Sequence, residues 1–252
     1  MFNMMNKKYT FGDVTFEIER ALDEQAEDNC AAFLSDKDAD YLIRVLPMVG
    51  EGQKGKNLEK KGNVITRYVK KEYFAGLNTA SLLATSEAAF LFPDHDAFIL
   101  HASYVLYNGQ ALLFTAPSGT GKSTQAEYWR EERGAEIVNG DRVLITRRNG
   151  RFYANGVYAC GTSGISKNVS APIGAVMLLE QGAQNEVNEI PVRLLFLRTL
   201  CECTYNMKDD GQYEKITELV SDMINSLPVL CYRCRKSPDS VAALERILWN
   251  KE

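Results

Sequence analysis

The stretch Ser103-Tyr-Val-Leu-Tyr107, Asn108-Gly109, Gln110-Ala-Leu-Leu-Phe-Thr115, Ala116-Pro-Ser-Gly-Thr-Gly-Lys-Ser123 decides how the chain folds. Asn108-Gly109 supplies the two positive φ angles of a type I′ turn, so the apolar runs on either side read as an antiparallel hairpin. The second run leads into a glycine-containing loop. After it, Lys122-Ser-Thr-Gln-Ala-Glu-Tyr-Trp-Arg-Glu-Glu-Arg133 reads as a helix stopped by Gly134. A strand followed by such a loop and helix normally belongs to a parallel sheet. Here that strand also has a tight antiparallel partner, which predicts an α/β fold on a mixed sheet.

Downstream, Ala135-Glu-Ile-Val138 reads as a short strand ending at Asn139-Gly140-Asp141-Arg142. A second Asn-Gly turn, Asn149-Gly150, joins Arg142–Arg148 to Arg151–Ala154. Ile173–Leu179 reads as a buried strand, Val192–Tyr205 and Tyr213–Leu227 as helices, and Val229 begins a last strand. A final helix over Ser237–Trp249 opens with Ser237 as N-cap, Pro238 in the first turn and Asp239 favoured by the helix dipole.

Upstream the pattern is β-rich: Tyr9–Glu19 around a Gly12-Asp13 turn, Asp40–Val45 and Asn63–Tyr73, then a helix over Leu77–Phe92. Gly50–Gly62 reads as a charged, solvated loop. Residues 1–95 thus form a β-rich N-terminal region without recognisable chemistry, either a separate small domain or an extension of the following sheet. Residues 96–252 form the core that carries the motifs.

The chain has 252 residues, 45% hydrophobic and 25% charged, which is enough apolar material for a substantial core. A net charge of -4 gives no electrostatic reason to expect nucleic acid or an anionic membrane as partner. No apolar run approaches the roughly 20 residues that span a bilayer. Met1–Thr10 lacks the apolar segment of a signal peptide, so a cytoplasmic location is expected. Of the six cysteines, Cys231 and Cys234 fall on opposite faces of a strand. Cys201 and Cys203, read as helical, lie about 200° apart. They are expected to be buried or incidental thiols and not a metal site.

The chemistry concentrates in the loop. Gly119 and Gly121 let the backbone curl so that the N–H groups of Ser118, Gly119, Thr120, Gly121, Lys122 and Ser123 converge, and the helix N-terminus adds its dipole. That is a cradle for a polyphosphate, in the strand–loop–helix setting that makes a Walker A motif credible. Lys122 is placed to reach the β- and γ-phosphates and the Ser123 hydroxyl to ligate magnesium, with Thr124 on the first helical turn beside them. Ala116 stands where the strict motif has a glycine. Asp141 ends the next strand, where a magnesium-holding or base carboxylate belongs in a phosphate-loop kinase; it is also a natural turn residue of an Asn-Gly-Asp corner. His101 precedes the hairpin and, taken alone, reads more readily as a core histidine than as a site residue, while His95 reads as a surface turn.

With these residues in view, the chain resembles the catalytic domain of HPr kinase/phosphorylase, whose fold is shared with phosphoenolpyruvate carboxykinase. The resemblance runs from Leu100 to about Leu200, through His101-Ala102, Ala116–Thr124 and Ile137-Val-Asn-Gly-Asp-Arg-Val143. Cys160-Gly161, Asn168-Val-Ser-Ala-Pro172 and Leu179-Glu-Gln-Gly182 are similar to short, stand-alone relatives of that family, some of which phosphorylate serine on ribosomal peptides of the lasso type. The resemblance implies a mixed-sheet phosphate-loop kinase using ATP or GTP with Mg²⁺. Its substrate would be a serine of a peptide or small protein; nucleic acid and membrane are not implied as partners, and self-association is left open. It implies that Lys122 and Ser123 handle phosphates and metal, that Asp141 lies beside the transfer centre as base or metal ligand, and that His101 lies near it. The family has two adjacent aspartates at this strand end, and the first is Gly140 here. A small-molecule kinase and a nucleotide-sensing module without catalysis remain as alternatives.

Overall fold

Residues 4–21, 28–48 and 57–249 are described by a computed structural model, and the chain divides into two units, Met1–Leu91 and Phe92–Glu252. In the first unit, β1 (Met4–Phe11) and β2 (Val14–Ala21) form a hairpin closed at Gly12, whose φ of 60° is the left-handed value that glycine tolerates. They are joined by β3 (Tyr41–Pro47), β4 (Leu58–Lys61) and β5 (Val64–Val69) in the order β1-β2-β3-β5-β4. The sheet is mixed, because β2–β3 and β3–β5 are parallel while both hairpins are antiparallel. Registers Phe11↔Val14, Tyr9↔Phe16 and Ile18↔Ile43 set one apolar face, and Phe33 packs on it with its ring 4.7 Å from that of Phe11.

Three expectations for this region need correction. The charged loop falls partly outside the described residues, at 50–56; from Leu58 onward it is β4, turned back into β5 at Gly62. The strand read over Asn63–Tyr73 stops at Val69, and Lys71–Gly76 is a 3-10 helix. The helix read over Leu77–Phe92 is only α1 (Thr79–Thr85), capped by Asn78 accepting from the Ser81 N–H. It stops because Glu87 takes a φ of 60°, and Ala88–His95 continues as a 3-10 helix containing Pro93.

The second unit is built around one long strand, β6 (Ala97–Tyr107), hairpinned at Asn108-Gly109 to β7 (Gln110–Thr115). After α2 (Lys122–Arg133) come β8 (Glu136–Asn139), β9 (Arg142–Arg148), β10 (Arg151–Asn155), β11 (Ser170–Gln181) and β12 (Glu186–Asn188). Then follow α3 (Val192–Cys201), β13 (Cys203–Thr204), α4 (Asp210–Ser226), β14 (Val229–Cys234) and α5 (Asp239–Trp249). The sheet order is β10-β9-β6-β7-β11-β14-β12, with β8 and β13 also paired to β6. β7, β11 and β14 run parallel and the remaining pairings are antiparallel, so this sheet is mixed too. The molecule is a mixed α/β protein with two mixed sheets.

Strand alternation sends buried side chains to both faces. Leu113, Val176 and Leu178 pack with Ile216, Leu219, Val220 and Met223 of α4 on one side. Leu112, Phe114, Met177 and Leu179 pack with Trp129 of α2 and Val241 and Leu244 of α5 on the other. Full burial of such side chains contributes about 1.5–3 kcal/mol each, which holds both helical layers to the sheet.

The helix read over Val192–Tyr205 also overshoots: α3 ends at Cys201, and Cys203–Thr204 pairs with Leu100 and Ile99 of β6. The helical spacing assumed for Cys201 and Cys203 therefore does not apply; Cys201 is exposed and Cys203 is buried in the sheet. Cys231 Sγ lies 3.2 Å from Arg198 of α3, whereas Cys234 Sγ lies 3.3 Å from Gln125 of α2, so the two point to opposite faces. Among the described residues no helix is long and apolar enough to cross a membrane.

Candidate functional site

The site forms where β6 changes partners. Ala97 to His101 pair with β9, with His101 opposite Arg142; from Ala102 onward the strand pairs with β7, with Ala102 opposite Thr115. β8 and β9 lie end to end along one side of β6, and Gly140-Asp141 is the junction between them. On the other side, β7 ends at Thr115 and β13 takes up pairing at Leu100. Backbone and side-chain bonds pin the crossing. The Ala102 N–H donates to Asp141 O at 3.0 Å, Thr115 Oγ1 to His101 O at 2.8 Å and Ser103 Oγ to Gly140 O at 2.9 Å. Asn139 Oδ1 accepts from the Asp141 and Arg142 N–H groups at 3.0 Å each, which shapes the corner read as Asn-Gly-Asp.

Beyond Thr115 the chain makes its loop. Ala116 is buried, Ser118, Gly119 and Ser123 are exposed, and Thr120, Gly121 and Thr124 are half-buried. Gly119 and Gly121 hold φ of 81° and 127°, so both glycines are required by the backbone, and α2 starts directly after Gly121. Ala116, where the strict motif has glycine, lies before the curl. Gln181, at the end of β11, donates from Nε2 to Thr120 O at 3.1 Å and braces the loop from the neighbouring strand.

Lys122 is 7% exposed and folds back on the loop, donating to Ala116 O at 2.7 Å and Pro117 O at 3.4 Å. Burial pulls its ammonium below the usual lysine range; the carboxylates of Glu202 and Asp141 act against that, and the Arg142 guanidinium adds to it. The loop is joined to the β6 crossing through Thr115, whose hydroxyl donates to His101 O.

At the crossing, His101 Nε2 is 3.3 Å from Asp141 Oδ1, and Arg142 Nε is 3.2 Å from Asp141 Oδ2. His101 Nδ1 is 3.1 Å from Glu202 Oε2, and the His101 N–H donates to Glu202 O at 2.9 Å. Asp141, His101 and Glu202 thus form a continuous polar chain, of which the sequence reading named two members. In the sequence Glu202 is masked by the helical pattern that runs through it from Val192; the signal against a helix is Cys-Thr-Tyr, poor helix formers, directly after it. His95 ends the 3-10 helix Ala88–His95 that precedes β6.

A segment after β10 closes over the corner. A Cβ added at Gly161, which has a φ of 57°, would lie 2.8 Å from Asp141 Cγ. One added at Gly140 would lie 2.6 Å from Ser163 Cβ. Ser163 therefore occupies the space into which a side chain at position 140 would project. Its hydroxyl donates to Cys160 O at 2.7 Å.

No protein-family model matches the chain, and no curated protein does. Among solved structures, it is similar to the Hpr(Ser) kinase/phosphatase from Coxiella burnetii, at 12% identity and a TM-score of 0.26, over 49% of this chain and 88% of that one.

Proposed function

We propose that the chain is a kinase that transfers the γ-phosphate of ATP, or of GTP, to a serine hydroxyl of a peptide or small protein. The observation that best supports this is a loop curled by two positive-φ glycines, with buried Lys122 opening the helix after it and Thr115 before it bonded to the His101 carbonyl, while the His101 ring faces the partly exposed carboxylate of Asp141. Phosphoryl transfer needs little covalent help from the protein, so positioning and charge neutralisation dominate. The N–H groups of residues 118–123 and the α2 N-terminus hold the phosphates, and Lys122 turns from Ala116 O to the β- and γ-phosphate oxygens. Asp141 orients the serine hydroxyl and takes its proton, and His101 keeps Asp141 in place.

Ser123 and Asp141 are the residues that would hold magnesium. Among the described residues no group of three or more His, Cys, Asp and Glu is placed to cage a metal. One hydroxyl and one carboxylate suit a hard cation carried mainly by nucleotide phosphates, so the donor set fits. When bound, magnesium neutralises charge on the phosphate oxygens.

The test is incubation with γ-labelled ATP, magnesium and a panel of serine-containing peptides, each paired with its Ser→Ala version. The expected result is label on the serine peptides alone. Label appearing only on small alcohols would move the assignment to a small-molecule kinase. Nucleotide binding without transfer to any acceptor would make the chain a sensing module.

A further inference from the structure

We infer that Glu202 is a positioning residue for the transfer reaction, acting through His101 on Asp141; this rests on the kinase reading above. The imidazole has a broad, two-fold torsion about its last bond, and a half-turn exchanges each ring nitrogen for a carbon, so nothing intrinsic to a histidine on a strand decides whether Nε2 or a C–H edge meets Asp141. Glu202 decides it. Its Oε2 takes Nδ1 at 3.1 Å, leaving Nε2 facing Asp141 Oδ1 at 3.3 Å. An ionised carboxylate only accepts, so Nδ1 is the donor to Glu202, and the Nε2 contact likewise needs its hydrogen on Nε2 or on Asp141.

The placement is built into the fold twice over. The Glu202 backbone carbonyl accepts the His101 N–H at 2.9 Å, and the next two residues pair with Leu100 and Ile99, so the strand register carries the carboxylate to the ring. The Glu202 side chain is 13% exposed and that of His101 is 19% exposed, which shields a charge-assisted bond from competing water. Glu202 has a rival role, since it is the first of the charges acting on Lys122. The two roles predict different kinetics: loss of orientation at Asp141 lowers kcat, whereas loss of a charge beside Lys122 changes nucleotide binding.

The experiment is a double-mutant cycle on Glu202 and His101, with Glu202→Gln as the conservative variant. Glu202→Ala should lower kcat about tenfold, on the scale of a misplaced catalytic group, with the KM for ATP within about twofold of the parent. Glu202→Gln, whose amide oxygen can still accept from Nδ1, should keep most of the activity. In a His101→Ala background, Glu202→Ala should cost nothing further. Additive losses, or a raised KM at unchanged kcat, would overturn the inference.

A readout free of catalysis separates this claim from the kinase reading. The chain has 2 histidines, so ¹⁵N spectra with His95 replaced report His101 alone. The parent and Glu202→Gln should show a hydrogen held on Nδ1, and Glu202→Ala should lose it. If the parent transfers no phosphate but the spectra change in this way, the kinase reading fails and the orienting contact stands. Unchanged spectra in Glu202→Ala refute the orienting contact whatever the activity.

Discussion

The loop over Ala116–Thr124 and the polar chain Asp141–His101–Glu202 meet where Thr115 bonds the His101 carbonyl, yet they are made in opposite ways. The loop is contiguous: residues 116–121 between a strand and a helix, with two glycines whose φ angles of 81° and 127° only glycine adopts readily. The polar chain gathers residues 101, 141 and 202 from separate segments, brought together because β6 leaves one set of pairings for another at His101-Ala102. A contiguous element depends on local conformation and tolerates rearrangement elsewhere. A convergent one depends on strand register, so changes in the segments packed around it should reach it.

The largest effect should follow from Lys122→Ala. Deleting the buried ammonium removes the charge proposed to reach the phosphates, so Mg-ATP should no longer raise Tm and transfer should be abolished. A ligand at a hundred times its Kd stabilises the native state by about 2.7 kcal/mol, so the lost shift is measurable by thermal denaturation. An undiminished shift in Lys122→Ala would remove the loop from the site.

Asp141→Asn comes next. Losing a base costs on the order of 10²–10⁴ in rate, so transfer to a serine peptide should fall by at least about a hundredfold, while nucleotide binding survives, weakened by the loss of one magnesium ligand. Transfer at the parent rate would leave Asp141 a turn residue only.

The segment over the corner tests whether the convergent half is sensitive to its packing. Gly161→Ala places a methyl 2.8 Å from Asp141 Cγ and forces a side chain onto a φ of 57°, which costs about 1–2 kcal/mol. It should reduce transfer about tenfold, the scale of a displaced catalytic group, with nucleotide affinity unchanged. Equal loss of both would show that the two halves of the site do not separate.

The smallest effect concerns Gly140. Gly140→Asp collides with Ser163, and overpacking of this kind costs about 1–3 kcal/mol, read as a lowered Tm. Gly140→Asp with Ser163→Gly should recover most of that loss. If Ser163→Gly gives no recovery, the collision is not what disfavours a side chain at position 140.

The same contrast explains what could be read from the amino-acid sequence. The hairpin at Asn108-Gly109, the loop and α2 through its stop at Gly134 are all dictated by neighbours in sequence, and the structure reproduces them with the mixed sheet they predict. Elements that end for tertiary reasons were read too long. α3 stops at Cys201 because Cys203–Thr204 is recruited by β6, and that recruitment also carries Glu202 to His101. α1 stops short because Glu87 turns left-handed, which a run of Ala and Leu does not announce. Ser163 filling the space beside Gly140 is likewise invisible without the fold, since the two are joined only through the hairpin of β9 and β10 and the segment that follows it.

The central claim is that nucleotide is held by the loop and phosphate is moved at Asp141. It is tested most directly by titrating Mg-ATP into the parent, Lys122→Ala and Asp141→Asn in a calorimeter while following transfer to a serine peptide in the same samples. The account predicts binding heat in the parent and Asp141→Asn but not in Lys122→Ala, and transfer in the parent alone. Unweakened binding by Lys122→Ala, or transfer by Asp141→Asn at the parent rate, would contradict it.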